Sequence, residues 1–232
     1  MTATPPPLLV TINSSGRQAA SIIRVASAVG LHVRAQLRER GGVVADELDG
    51  LPGVTLVEGE ITDQKLISQL FIGAQLAFVN TTHWGDEYAN GCALADAAKK
   101  AGIKHYVYSS MPDHSDFGKG WQALPMWKPK FEVEKYVRSL TDLPSTFVYA
   151  GIYNNNFTTL PYPLFRLELQ TDGSFVWEAP FAPDEVQPWL DAEHDTGPAL
   201  LQIFKEGPSR WGGHRYVRVI VSCGMLVVDI SF

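Results

Sequence analysis

Short, almost unbroken apolar runs alternate along the first 150 or so residues with longer segments in which apolar positions return every three or four places. The runs are Leu8–Ile12, His32–Leu37, Val54–Val57, Leu76–Val79, His105–Tyr108 and Ser145–Tyr149. Apart from His32–Leu37, in which polar and apolar residues alternate, they show little of the alternation of a half-exposed strand, which predicts strands covered on both faces. The spacing between them predicts helices over about 17–29, 64–71, 87–101 and 129–140. In the first helix Ala19, Ile22, Ile23, Ala26 and Val29 share one face, and Gly30 supplies a left-handed stop. Gly102 ends the third helix and Pro129 opens the fourth. Strand and helix in strict alternation predict an α/β fold, a Rossmann-type doubly wound parallel sheet.

After Gly151 the pattern breaks into Asn154-Asn-Asn156 and a scatter of prolines at 161, 163, 180, 183 and 188. A small second α+β lobe is expected here. Its clearest element is a helix over about 198–204, with Asp195 or Thr196 as N-cap and Gly207-Pro208 as the stop.

The turn Asn13-Ser-Ser-Gly16-Arg-Gln-Ala19 follows the first strand and opens the first helix with the spacing of a glycine-rich dinucleotide fingerprint. Asn stands at the first glycine position and Ala at the third. Asn enters the left-handed region at low cost, Gly16 admits close approach of a pyrophosphate, and Ala19 still lets helix and strand pack tightly. The helix N-terminus adds free N–H groups for phosphate. The end of the second strand, where NAD sites usually place a carboxylate, holds Gln36 and Leu37 followed by Arg38 and Glu39. Arg38 or Arg17 is then the group to neutralise a 2′-phosphate, so NADP is expected as cofactor at least as readily as NAD.

Net charge of −6 and a sequence pI near 5.5 leave no excess of Lys and Arg for direct nucleic-acid binding, while a basic protein partner is accommodated. Cys92 and Cys223 have no metal-like spacing, and no metal site is expected. No apolar run reaches the roughly 20 residues needed to cross a bilayer, so no membrane association is expected. The six tryptophans read mostly as core or pocket wall, and His114 and His194 as solvated loop or helix-cap residues.

The runs Asn13–Ala20, Tyr108–His114, Pro125-Met-Trp127, Phe147–Phe157 and Trp189–Asp195 closely resemble the NmrA-like family of atypical, extended short-chain dehydrogenases, from about Leu8 to Arg215. That resemblance implies NAD or NADP binding by a negative regulator of transcription in nitrogen metabolite repression. Such a regulator contacts a GATA-type zinc-finger activator, works in cytoplasm and nucleus, and reports redox state. It further implies Asn13, Ser15, Gly16, Arg17 and Gln18 at the pyrophosphate, Leu37, Arg38 and Glu39 near the adenosine ribose, and Gly59 and Glu60 flanking the adenine. Asn80, Thr81 and Thr82 would line the nicotinamide side, Lys130 would reach its ribose, and Tyr153, Asn154, Asn155 and Asn156 would close over it.

Short-chain dehydrogenases use a Tyr-x-x-x-Lys pair, and here Met126 stands four residues before Lys130. A thioether has no titratable proton, so no catalytic residue is expected and the chain reads as a binder. Tyr153 or Tyr136 is the substitute required by the alternative, an NAD(P)-dependent oxidoreductase of unknown substrate. The division expected is a disordered leader at 1–7, the NAD(P)-binding domain at 8–152, an incomplete lobe at 153–215 and an atypical tail at 216–232. The tail is rich in β-branched residues and reads as translated intron or frameshift.

Overall fold

The computed structural model describes residues 6–182, 185–213, 215–221 and 224–229, the last two segments as backbone. Strand β1 (Leu8–Thr11), helix α1 (Arg17–Ala28), β2 (His32–Leu37), α2 (Val43–Asp49), β3 (Val54–Glu58), α3 (Gln64–Leu70), β4 (Leu76–Val79), α4 (Glu87–Ala101), β5 (His105–Ser110), α5 (Lys128–Ser139) and β6 (Ser145–Tyr149) follow in order. The strands lie as β3-β2-β1-β4-β5-β6, all parallel. Winding reverses between β1 and β4, and ligands of such open sheets bind outside the carboxyl ends of the strands at that switch. Helix α2 is the element the periodicity does not reveal. It spans seven residues, with only Ala45 and Leu48 buried, too few to set a repeat. Arg24 of α1 grips Glu47 of α2 through two hydrogen bonds of 2.6 and 2.7 Å.

Beyond β6 come β7 (Ile152–Tyr153), β8 (Leu167–Leu169), β9 (Phe175–Trp177), β10 (Trp189–Leu190), α6 (Thr196–Glu206), α7 (Pro208–Trp211), β11 (Arg215–Val221) and β12 (Gly224–Asp229). Strands β7 and β10 pair in parallel, and β8 and β9 form an antiparallel hairpin. Helix α6 starts at Thr196 behind Asp195 and stops at Gly207, longer at both ends than its apolar spacing predicts. The segment expected as an atypical tail enters the main sheet: β11 runs parallel to β6 with Arg215 opposite Phe147, and β12 returns antiparallel to it. Leader residues 1–5 and tail residues 222–223 and 230–232 lie outside the described residues.

Both faces of the sheet are covered, as the unbroken runs require. On one side Ile22, Ile23 and Ala26 of α1 pack with Leu37, Phe78, Val107 and, from α6, Leu200 and Ile203. On the other, Val10, Leu70, Leu94, Tyr106, Val133 and Val137 pack together. No helix among the described residues is long and apolar enough to cross a membrane.

His105, 1% exposed on β5, donates through Nε2 to the Thr146 hydroxyl at 2.8 Å, because that hydroxyl itself donates to the Trp211 carbonyl at 2.8 Å. Its Nδ1 has no partner among the described residues, and burial pushes the imidazole down to about 4 from its ordinary 6.5. A depressed folded value means that stability is complete above pH 6.5 and is lost as pH falls toward 4, where the unfolded chain alone takes up the proton. At pH 5 the loss from this residue is about 2 kcal/mol. Urea midpoints at pH 7 and pH 5 should fall further in the wild type than in His105→Asn, and equal falls would refute the assignment.

Candidate functional site

The loop between β1 and α1 is built around three small residues. Asn13 adopts the left-handed conformation at φ 58°, as expected of Asn in a glycine position. Gly16 donates to the Asn13 carbonyl at 2.9 Å, and a Cβ on Gly16 would meet both Asn13 O and Asn13 Nδ2 at 3.1 Å. Ala19 is buried against the sheet. Helix α1 starts at Gly16 with no side-chain cap and no acidic residue in its first turn, so its positive end is left without internal compensation.

Gln36 fixes this loop to its neighbours. Its Oε1 accepts from the Asn13 N–H at 3.0 Å, its Nε2 donates to the Gly59 carbonyl at 2.7 Å, and its own carbonyl accepts from Ser14 N–H at 2.8 Å. One buried amide therefore ties together the ends of β1, β2 and β3. A carboxylate could not donate to Gly59, which gives a structural reason for glutamine where NAD sites usually hold an acid.

A groove of about 500 Å³ opens at these strand ends, within the range of small-molecule sites. Of the residues expected there, Asn13, Ser15, Arg38, Glu39, Glu60 and Thr82 line it together, and Trp84 forms part of its wall. Gly59 reaches the area through its backbone at φ 148°, where a Cβ would lie 2.8 Å from Leu66 Cδ2. Leu37, expected near the ribose, turns its side chain into the core instead, because it sits on the covered face of β2; only its carbonyl, bonded to Gly59 N–H at 3.0 Å, serves the groove edge. Arg40 is drawn off toward Asp49, Glu58 and the Leu56 carbonyl. Arg38 stays at the groove, its guanidinium carbon 5.0 Å from the centre of the Trp84 ring.

At the end of β4, Lys130 of α5 donates to Asn80 Oδ1 at 3.1 Å and to the Thr81 carbonyl at 2.5 Å, and pairs with Glu87 at 3.1 Å. Burial lowers the lysine's affinity for its proton, and Glu87 opposes that shift. Thr81, expected to line the nicotinamide side, is turned inward: its hydroxyl donates to Glu87 at 2.7 Å and meets the Tyr108 hydroxyl at 2.8 Å. Burial holds Tyr108 well above the ordinary tyrosine range. Met126 lies in the turn before α5, 67% exposed, and not on the helix that carries Lys130. Of the tyrosines considered as substitutes, Tyr136 donates to Asp96 at 2.7 Å and is raised to about 12, with that bond the largest cause; Tyr153 is raised by burial. None of these phenols has the lowered pKa that proton transfer at neutral pH demands.

Arg17, expected at the pyrophosphate, faces the second lobe. It donates to Glu193 at 2.9 Å, Asn156 at 3.1 Å and Thr159 at 2.9 Å, since three acceptors there match its fork. Gln18 donates to the Tyr153 hydroxyl, while its Oε1 is buried without a partner among the described residues. Asn155 is engaged by Asp191 and the Ala192 N–H, and Asn154 is exposed. The 154–156 turn thus stands over the first turn of α1 through Arg17.

His194 is exposed, as expected, whereas His114 packs among Phe117, Trp121 and Trp127. Of the tryptophans, Trp211 is buried and Trp84 forms groove wall, in keeping with the core or pocket-wall reading, whereas Trp121 and Trp177 are exposed. No group of three or more metal-ligating side chains occurs among the described residues. The pattern missed Glu87, Tyr108 and Trp84. Glu87 is a first-turn acid of α4 behind the Asp86 cap and Tyr108 a residue of β5; neither carries a local sequence signal of its partner.

Comparison with known proteins agrees with this geometry. The chain is 64% identical over 227 residues to the nitrogen metabolite repression protein nmrA of Emericella nidulans, covering 97% of this chain and 64% of that protein. It is 54% identical to the nitrogen metabolite repression protein nmr of Neurospora crassa, covering 92% of this chain and 49% of that protein. The chain thus spans between about half and two thirds of these relatives. A solved structure of NmrA, a negative transcriptional regulator, in complex with NADP matches with TM-score 0.88 at 59% identity, covering 97% of this chain and 68% of that one. A structure of the same regulator with NAD matches equally well. The NmrA-like family model matches residues 7–226, past the point near 215 where the resemblance was expected to stop. The chain belongs to the NmrA-like family.

Proposed function

We propose that this chain is a NAD(P)-binding, non-catalytic negative regulator in nitrogen metabolite repression. It acts in cytoplasm and nucleus by binding a GATA-type zinc-finger activator, with nucleotide occupancy reporting redox state. The observation that carries the reading is the groove at the switch point, where Asn13, Gly16 and the uncapped start of α1 leave N–H groups and space for a pyrophosphate. Residues 8–152 form the nucleotide-binding unit, with Asn13, Ser15, Gly16 and Gln18 at the phosphates, Arg38 and Glu39 at the ribose, and Gly59 and Glu60 at the adenine. Asn80, Thr82 and Lys130 border the nicotinamide end, and residues 153–215 form the lobe that covers it. A nicotinamide nucleotide would supply hydride chemistry. Among the described residues, the side chains considered do not match a proton donor for it: Met126 is a thioether outside the helix, burial holds Tyr108 too far above the ordinary range to give up its proton readily, and Lys130 is already engaged by Glu87. The relatives, both nitrogen metabolite repression proteins, support the regulatory half of the reading.

Calorimetric titration of the full chain with NAD, NADH, NADP and NADPH, followed by a turnover screen, tests this. The expected result is binding of NADP and NAD within about tenfold of each other and no sustained NADPH oxidation. Absence of binding by all four forms overturns the reading, and sustained turnover replaces it with the oxidoreductase.

A further inference from the structure

We infer that Trp84 is the positioning residue that holds Arg38 ready for a 2′-phosphate, so that the groove takes the phosphorylated nucleotide as well as the unphosphorylated one; this rests on the nucleotide-binding reading above. Two guanidinium groups come off the end of β2, and their surroundings separate them. Arg40 is spent on Asp49, Glu58 and the Leu56 carbonyl. Arg38 has no carboxylate within ion-pairing distance among the described residues, although Glu39 and Glu60 line the same groove. What holds Arg38 is the indole of Trp84, 5.0 Å from ring centre to guanidinium carbon. That indole is in turn stacked on His83, with ring centres 5.4 Å apart and planes 21° apart.

The chemistry of this contact favours an anion. A guanidinium that lies on a ring uses its face for the ring and keeps its N–H edges for acceptors, and it matches a phosphate better than any other side chain. A free arginine at a groove edge must give up rotamer freedom when it grips a ligand, and one already laid on an indole gives up less. The carboxylates of Glu39 and Glu60 suit ribose hydroxyls and repel phosphate, so the affinity for the phosphorylated nucleotide depends on how firmly Arg38 is held. Trp84 stands 60% exposed at the groove, so its replacement does not open the core.

The test is calorimetric titration of wild type, Trp84→Ala, Trp84→Phe and Arg38→Ala with two pairs of probes, NADP against NAD and 2′,5′-ADP against 5′-AMP. Trp84→Ala should lower the NADP-to-NAD affinity ratio about fivefold, the size of one exposed cation–π contact. The 2′,5′-ADP-to-AMP ratio should fall in parallel, and Trp84→Phe should restore part of both. In an Arg38→Ala background the Trp84 substitution should leave the ratios where Arg38→Ala put them. A Trp84→Ala protein that loses affinity for both members of each pair equally overturns the inference, since the indole then serves the nucleoside and not the arginine. A wild type that binds none of the four probes overturns the nucleotide-binding reading itself.

Discussion

Gly197→Val should be the most destabilising single substitution of those considered, lowering stability by roughly 3 kcal/mol or more. Gly197 is where α6 crosses α1. Its N–H bonds the Ser21 hydroxyl at 2.8 Å, and a Cβ there would lie 2.5 Å from the Ser21 carbonyl oxygen and 2.8 Å from its carbonyl carbon. These are backbone atoms of a packed helix and cannot step aside, so the two helices must separate. Leu200 and Ile203 would then leave the cluster they share with Ile22, Ile23 and Ala26. The urea midpoint is the measurement. A variant that melts with the wild type would show that α6 is not seated on α1 as described.

Gly16→Val is expected to abolish nucleotide binding while leaving most of the fold in place. The backbone of Gly16 is ordinary extended chain, φ −74° and ψ 150°, so the substitution is not conformationally forbidden. Its effect is spatial: the new Cβ presses on Asn13 at 3.1 Å, and two further methyl groups fill the approach to the first N–H groups of α1. The expected loss of NADP affinity is roughly a hundredfold or more, or about 3 kcal/mol. The folding cost should be nearer 1 kcal/mol. Unchanged affinity by calorimetry would remove this turn from the site.

The central parallel strands were legible because burial on both faces leaves a nearly unbroken apolar run, and β2 and β3 because they fall in the same strand-helix alternation. The cofactor turn was legible because Asn13, Gly16 and Ala19 each carry a steric meaning that survives without an alignment. Helix α2 and strands β7 to β10 were not, since two to seven residues hold too few inward positions to set a period. The pairings that shape the site were equally invisible. Gln36 could be seen only as a missing acid, and its three-way bridge needs β1 and β3 on either side of it. Glu87 with Lys130, and Arg38 with Trp84, come from distant segments that only the strand order brings together. Arg17 has the place expected for a phosphate contact, and the three acceptors that the second lobe offers its fork come from segments far along the chain.

Those three acceptors give the Arg17 contact a thermodynamic meaning. Any anion at the start of α1 that recruits this guanidinium must compete with Glu193, Asn156 and Thr159, and so shifts how firmly 153–195 is seated. Linkage runs equally in both directions: a protein that clamps that lobe against α1 changes the affinity for the anion by the same factor. An anion at that helix start and a protein on that lobe would thereby be linked through a single arginine.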